Sequence, residues 1–444
     1  MKKTKRIGWM GCSIALVLMI LPATGQAGSE EILSHFQFYV TAQEEYNSNI
    51  DLSPNRFKRD DFITTLSPGI RFSTLPWAET TRELRAPSAT REDRFGMDLD
   101  YRLGLVFYAK EKDYNFVSHD GLLNAWYSPS QRVTFRVRDY LVRSDENRER
   151  DYSSTALPEQ LLLGTQRVRS PYTRNAFEPS VEYRFGVGNV ASLNYRYMVY
   201  RNQSPLSENS EENFINPRIT YWFDIRNSLS LDYSLTVGDF ERSSDFISHL
   251  ATGRYAYRFN PRTSVFADYS FETRNFDPPS IDYKIHRPSI GAEHNFSPTL
   301  SGRVQGGYFW QNPKTGSTTK GFYYDLGLTK RAERTSYTLS FVGGYTEDYF
   351  TAENRGFTKY HRALATISHQ LSQHLSVGGN TSYERAKSEP DAEDRIWGIG
   401  VNGSYQVLRW LTATLDFSHR ENHAKNSNLD YSEYRGVFRI TASY

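Results

Sequence analysis

The sequence predicts an all-β protein, a single antiparallel transmembrane up-and-down β-barrel of about 18–20 strands with short periplasmic turns and longer extracellular loops. From Val133 onward, apolar and polar residues alternate over runs of about ten residues, which is the period of a strand with one apolar face. Turn-forming residues separate these runs at a regular interval. That interval fits two membrane-length strands and one longer connection, as in outer-membrane barrels.

The first residues have the pattern of a secretory signal. Four basic residues precede an apolar stretch from Ile7 to Leu21, and small residues follow as far as Ala27. We therefore predict a signal peptide at residues 1–27, cleaved to leave a barrel of residues 28–444. The apolar stretch is shorter than the roughly 20 residues of a spanning helix. Cys12 lies in this signal, so the mature chain has no thiol for a disulfide or a zinc site.

Composition also favours a barrel over a helical membrane protein. Hydrophobic residues make up 38% of the chain and the mean hydropathy is −0.64, whereas aromatic residues reach 15%. Strands need an apolar residue at every second position, and aromatic girdles mark the membrane interfaces. Without the four basic residues of the signal, 49 Lys and Arg face 51 Asp and Glu, so no cationic field indicates nucleic acid as a partner.

The strand pattern is clearest in the second half of the chain. Representative apolar alternations are Leu193, Tyr195, Tyr197 and Val199; Leu229, Leu231, Tyr233 and Leu235; and Leu411, Ala413, Leu415 and Phe417. Short turns are predicted at 128–131, 186–189, 224–227, 260–262, 297–299, 331–334, 372–374 and 407–410. Longer connections are predicted at 144–174, 202–212, 311–320, 350–357, 386–393 and 421–430. With a longer connection at 74–94, nine periplasmic connections imply about 20 strands, and 18 is the alternative.

The end of the chain carries a further indication. Phe438, Ile440, Ala442 and Tyr444 alternate out to a terminal aromatic residue, an ending that resembles the assembly signal of bacterial outer-membrane barrels. We expect both termini in the periplasm, the protein in the bacterial outer membrane, and outer-membrane lipid and the barrel assembly machinery as partners.

No catalytic, metal or cofactor site is expected. The ten histidines are scattered, and neither a His-Glu-x-x-His nor a phosphate-loop motif occurs. His119-Asp120 and Ser418-His419 lie near strands, but their spacing does not show that they meet other catalytic groups. Gly28 to Ser34 leave no room for a plug before the first strand at His35, so we expect any transport to be passive rather than energised.

Charged side chains on the polar face of the strands are the candidate functional residues. By parity the following face the lumen: Arg136, Arg138, Arg184, Arg196 and Arg303, opposed by Asp232, Asp268 and Glu272. In one interpretation they pair with one another as a structural network. In the other they line a passage that selects anionic or polyhydroxylated solutes.

Several short segments near the N-terminus resemble a known family. They are Glu44-Glu45-Tyr46-Asn47-Ser48-Asn49-Ile50, Asp60-Asp61-Phe62, Leu66-Ser67-Pro68-Gly69, Asp100-Tyr101-Arg102, Ser118-His119-Asp120 and Ser128-Pro129. The sequence here resembles the outer-membrane β-barrel porins found with bacterial exopolysaccharide or capsule export systems. The resemblance implies a barrel in the outer membrane and a link to surface polysaccharide or export-system components, and it supplies no catalytic residues.

The sequence therefore predicts a pore-like barrel acting as a passive conduit, with polysaccharide export as the implied role. The alternative is a structural or adhesive barrel that does not conduct because loops fill its lumen. A barrel of about 20 strands is wider than its own side chains can fill, so occlusion needs a loop, and residues 144–174 form the longest candidate.

Overall fold

The computed structural model describes residues 35–74, 94–146, 169–204, 207–350, 356–388, 392–426 and 429–444. The predicted signal peptide and the predicted start of the mature chain at Gly28 lie outside these ranges. The described part of the chain contains no helix with the length and hydropathy of a transmembrane span. Its regular structure is a single sheet with two short 3₁₀ turns at Asn55–Phe57 and Lys112–Tyr114.

Twenty antiparallel strands form the sheet. They are β1 (Phe36–Asn47), β2 (Asp61–Ser73), β3 (Phe95–Tyr108), β4 (Phe116–Ser130), β5 (Val133–Ser144), β6 (Tyr172–Phe185), β7 (Asn189–Asn202), β8 (Ser210–Trp222), β9 (Asn227–Phe240), β10 (Phe246–Asn260), β11 (Thr263–Phe276), β12 (Tyr283–Ser297), β13 (Leu300–Pro313), β14 (Thr319–Arg331), β15 (Thr335–Asp348), β16 (Gly356–Gln370), β17 (Leu375–Ser388), β18 (Ala392–Leu408), β19 (Leu411–Ala424) and β20 (Tyr431–Ser443).

The sheet closes into a barrel because β1 pairs with β20 as well as with β2. The closing ladder runs from Tyr39↔Ser443 to Asn47↔Arg435, and every other strand pairs with its neighbours in sequence. Closure leaves no unpaired sheet edge, which is the condition for strands in a bilayer. The predicted up-and-down barrel is confirmed, with the larger of the two strand numbers.

The predicted short turns are also confirmed. Eight of the nine connections on the periplasmic side have two to four residues, and the ninth joins β2 to β3. Each of the four two-residue turns has a register shift beside it, at Tyr127/Ser130, Arg258/Asn260, Asn295/Ser297 and Gln406/Leu408. These bulges supply the extra twist that a tight reversal requires.

The opposite, extracellular side has longer connections, led by the one between β5 and β6 at 145–171. Several others are short, because most strands have 13 to 15 residues. Fourteen residues at about 3.3 Å span about 46 Å, more than an apolar band about 25 Å tall requires even with tilt. The wall itself therefore extends beyond the membrane and shortens the loops.

The two faces of the wall differ as strand parity predicts. On β9 and β11, the side chains of Leu231, Tyr233 and Tyr269 are 52%, 39% and 48% exposed, whereas Asp268 and Glu272 are buried. Exposed apolar residues repeat on the same face all round the barrel, so this face is the lipid-facing surface. Polar and charged residues lie on the inner face.

Candidate functional site: the lumen

The inner wall carries arginine and carboxylate side chains directly opposite each other on neighbouring strands. Among the described residues such pairs are Arg71–Asp100 at 2.9 Å, Arg102–Asp120 at 2.7 Å, Arg138–Glu178 at 3.8 Å, Arg218–Asp232 at 3.3 Å, Arg254–Asp268 at 2.7 Å, Arg303–Glu293 at 3.9 Å and Arg362–Glu384 at 2.7 Å. Opposite charges in facing positions stabilise a sheet. The wall is therefore strongly polar, and these charges compensate each other locally.

Several of these arginines are also stacked over an inward aromatic ring. The Arg254 guanidinium donates two hydrogen bonds to the Asp268 carboxylate, at 2.7 and 2.8 Å. Its central carbon lies 4.3 Å from the centre of the Phe266 ring. The same arrangement recurs as Arg71 over Tyr39, Arg196 over Phe214 and Arg362 over Tyr360. A carboxylate and a ring together fix the guanidinium plane, so these arginines are rigid parts of the wall.

All eight predicted lumen residues have inward parity in the structure, and each has a partner of opposite charge. The pairs are Arg136–Glu182 at 3.5 Å, Arg138–Glu178 at 3.8 Å, Arg184–Glu182 at 2.8 Å, Arg196–Glu212 at 2.7 Å, Arg303–Asp325 at 3.5 Å, Asp232–Arg218 at 3.3 Å, Asp268–Arg254 at 2.7 Å and Glu272–Arg274 at 2.8 Å.

The five predicted arginines were expected to stand opposite Asp232, Asp268 and Glu272, but the structure gives these charges other partners. Each charge pairs with a residue on its own or an adjacent strand, because the ladder register brings those residues together. Arg218 and Arg254 were missed, although they have the same inward parity and stand opposite Asp232 and Asp268. Alignment of the strands across the predicted turns would have found both.

The extracellular half of the lumen is built differently, around the end of the β15–β16 hairpin. β14 pairs with β15 only as far as Tyr324↔Gly343, whereas β15 stays paired with β16 out to Asp348↔Gly356. The hairpin end therefore leaves β14 and bends into the barrel. We call residues Gly344–Phe350 the inner segment.

Gly344 is the residue that permits this bend. Its φ is +156°, and a Cβ atom built there would lie 2.9 Å from Cδ2 of Tyr323. Glycine removes both the contact and the conformational restriction. Beyond it, Tyr345 packs on the inward ring of Phe309, with centroids 5.0 Å apart, so the Tyr345 side chain lies within the lumen.

A buried polar cluster holds the inner segment against β11 and β12. The Arg274 guanidinium donates to Glu272 and to Glu347, both at 2.8 Å, and Tyr283 donates to Glu347. The hydroxyl of Tyr349 lies 2.8 Å from that of Tyr283. Arg274 is 8% exposed in its side chain. One buried cation thus joins a wall carboxylate to a carboxylate of the inner segment.

The tip of the inner segment reaches the opposite wall. The ring of Phe350 lies 5.4 Å from that of Phe240 on β9 and 5.7 Å from that of Phe246 on β10. The same ring packs against the apolar cluster that includes Met198 and Tyr200. Arg174 on β6 donates to the Phe350 carbonyl at 3.1 Å. β6 and β15 are almost diametrically opposite in the 20-stranded barrel, so these contacts cross the lumen.

Residues 144–174 were the predicted occluding loop. Residues 147–168 lie outside the described part of the chain. Arg169, at its described end, stacks over Tyr108 and Tyr114 at 4.5 and 4.8 Å. The end of the β15–β16 hairpin crosses the lumen, at the place where an ordinary extracellular connection was predicted.

Three histidines with strand parity toward lipid pair with tyrosines. Nδ1 of His119, His249 and His286 lies 2.8, 2.7 and 2.7 Å from the hydroxyls of Tyr101, Tyr233 and Tyr269, respectively. Among the described residues there is no group of three or more His, Cys, Asp and Glu side chains placed to hold a metal ion. These histidines belong to the aromatic girdle of the outer surface.

Comparison with known proteins supports the same class. A family model described as "Putative beta-barrel porin 2" matches residues 238–444, whereas the short segments quoted above lie between residues 44 and 129. No curated protein matches the chain in sequence. The match covers the strands from β10 to β20, which include the β15–β16 hairpin.

Solved structures share the fold at very low identity. The siderophore receptor PirA from Pseudomonas aeruginosa aligns with a TM-score of 0.52 and 8% identity, over 93% of this chain and 80% of that one. A mutant of the ferric enterobactin receptor PfeA from the same organism gives 0.52 and 8%, over 94% and 81%. The closed barrel and its apolar outer face define a porin-like β-barrel of the bacterial outer membrane.

Proposed function

We propose that this protein is a passive, gated conduit for uncharged, polyhydroxylated solutes, and that the inner segment is its gate. The observation that carries the proposal is the contrast, among the described residues, between a membrane-level wall of paired charges and an inward hairpin end that crosses the lumen above it. A barrel of 20 strands is wider than its own wall side chains can fill, so a segment that moves out of the lumen can open a passage.

The chemistry of the wall favours neutral solutes with many hydroxyl groups. Paired arginines and carboxylates offer both hydrogen-bond donors and acceptors without a net field, and the adjacent rings offer apolar faces. A lumen with unpaired arginines would select anions, but eight of the wall arginines named above each have a carboxylate partner, and they are Arg71, Arg102, Arg138, Arg196, Arg218, Arg254, Arg303 and Arg362. The resemblance to porins of polysaccharide export systems supports oligosaccharide or polysaccharide as the solute.

A non-conducting structural or adhesive barrel is the second candidate, because the inner segment crosses the lumen. The two candidates differ in planar-bilayer conductance. We expect low conductance for the wild type and an increase of several fold for Tyr349→Ser/Phe350→Ser, which removes the contacts with β9 and β10. Val187→Ser, in a periplasmic turn where Val187 is 93% exposed, is the control and should change nothing.

Solute preference is tested on the opened variant. A neutral gluco-oligosaccharide should interrupt the current at lower concentration than an acidic oligosaccharide of the same length. If Tyr349→Ser/Phe350→Ser folds but does not conduct, the structural role replaces the conduit. If acidic oligosaccharides block more strongly, the compensated wall does not set the selectivity.

A further inference from the structure

A transverse row of basic residues lies on the lipid-facing side of β16 to β19, close to their extracellular ends. The ladder places His361 opposite Arg385, Arg385 opposite Arg395, and Arg395 opposite His423. All four have the parity of the outward residues on their strands. We call them, together with Lys387 on the same face of β17, the basic row.

The charges of the basic row are compensated in part. Among the described residues, the Glu393 carboxylate lies 2.8 Å from Arg385, 3.0 Å from Arg395 and 3.0 Å from Lys387. A second carboxylate, that of Glu421, lies 3.3 Å from Nε2 of His423. Three cations thus share the Glu393 carboxylate, and two arginines stand directly opposite each other. Like charges in that position destabilise a sheet, so a further anion at this site would be bound favourably.

An apolar depression lies on the same outer surface, nearer the middle of the membrane. It has a volume of about 460 Å³, and its lining includes Leu339, Ala365, Ile367, Gly379, Ile399 and Val401. Gly379 stands between Ile367 and Val401 in the ladder. Since it has no side chain, it leaves the floor of the depression open. We call this feature the outer groove.

The basic row and the outer groove are spaced for one amphipathic molecule. Six residues separate Arg385 from Gly379 on β17, about 20 Å along the strand and about 15 Å in depth at a tilt near 40°. This depth is near the midplane of an apolar band about 25 Å tall. Tyr383 and Trp397 lie opposite each other between the two features, at the position of an aromatic girdle.

We propose that the basic row and the outer groove form a binding site for one phosphate-bearing lipid of the outer leaflet. The basic row would bind the phosphate by charge-assisted hydrogen bonds, and the outer groove would hold an acyl chain. The rim at the β20–β1–β2 seam presents Tyr46, Phe62 and Tyr434 instead, all exposed. The site is therefore confined to one side of the barrel, and it does not depend on whether the lumen conducts.

Titration of the detergent-solubilised protein with lipid A, followed by native mass spectrometry, tests the site. We expect the wild type to bind one lipid A molecule tightly. Raised salt should weaken this binding at least tenfold, and the variant Arg385→Gln/Lys387→Gln/Arg395→Gln should bind lipid A at least tenfold more weakly than the wild type. The control Arg331→Gln/Arg334→Gln/Arg409→Gln removes the same charge at the periplasmic rim, outside the lining of the outer groove, and should leave binding unchanged. Equal loss in both variants would overturn the site.

A second variant tests the outer groove separately. At Gly379 an added Cβ would lie 3.5 Å from Cγ2 of Ile367, an ordinary contact, so Gly379→Leu should fold and fill the groove. We expect Gly379→Leu to weaken the binding of lipid A several fold and to leave the binding of inorganic pyrophosphate at the basic row unchanged. If wild-type protein binds zwitterionic phosphatidylethanolamine as tightly as lipid A, or if Gly379→Leu has no effect, the proposal is wrong.

Discussion

The membrane-level wall and the extracellular half of the lumen belong to the same strands, yet their contacts arise in different ways. At membrane level, partners such as Arg254 and Asp268 meet because the ladder places them opposite each other. Above it, Arg274 and Glu347 meet although β11 and β15 are not neighbours in the sheet. Regular pairing produces a rigid wall, and departure from it at Gly344 produces a segment that can close the passage.

Of the variants proposed, loss of Arg274 should have the largest effect, because it removes the contact that holds the inner segment against the wall. Arg274→Met leaves Glu272 and Glu347 buried without their cation, and removal of one partner from a buried ion pair costs about 3–5 kcal/mol. We expect the inner segment to detach, seen as raised conductance and faster proteolysis between β15 and β16. Arg184→Met is the control, since Arg184 is 63% exposed and exposed pairs contribute about 0–1 kcal/mol.

A charge on the outer face of the regular wall should have the next largest effect. Leu235→Arg places a charge on the lipid-facing side of β9 and should lower the free energy of unfolding by about 2–4 kcal/mol. Thr236→Arg places the same charge in the lumen and should be tolerated. Equal urea midpoints for the two variants in liposomes would show that the assignment of faces is wrong.

Neutralisation of the wall arginines should change the ion selectivity of the opened barrel. In the opened background, replacement of Arg136, Arg138 and Arg196 by Gln leaves Glu182, Glu178 and Glu212 without those partners. The reversal potential should then shift toward cations. Asp268→Asn leaves Arg254 without its carboxylate and should shift the reversal potential toward anions. A shift in the same direction for both variants would contradict a wall whose charges are compensated in pairs.

Much of the wall was predictable from the sequence, because parity and turn chemistry act locally. Alternation at Leu229 to Leu235 identifies both faces of β9, and turns such as Gly186–Asn189 determine the strand order. The inner segment was not predictable in this way. Its partners Phe240 and Arg174 are more than 100 positions distant in sequence, and the bend depends on how Gly344 packs on Tyr323. A glycine pair inside an alternating run was the available signal.

The smallest effect is expected at a periplasmic turn. The Asp224 carboxylate accepts hydrogen bonds from the backbone amides of Arg226 and Asn227 and from the Asn227 side chain. These bonds lower the pKa of Asp224 from its ordinary value of 3.8. A lowered pKa stabilises the fold above the ordinary value, and the contribution is lost as the pH falls through the lowered pKa. Asp224→Asn should therefore lower Tm slightly at pH 7, and the difference in Tm from the wild type should disappear once the pH lies below the lowered pKa.

The gate is tested most directly by a reversible tether across the lumen. Phe240→Cys/Phe350→Cys replaces two rings whose centroids are 5.4 Å apart, and Cys12 is the chain's sole native cysteine. With the cross-link verified by mass spectrometry, the oxidised barrel should be closed in a planar bilayer, and reduction should raise its conductance several fold and reversibly. The single variant Phe350→Cys should not respond to redox state. Equal conductance of the oxidised and reduced double variant would contradict a gate formed by the inner segment.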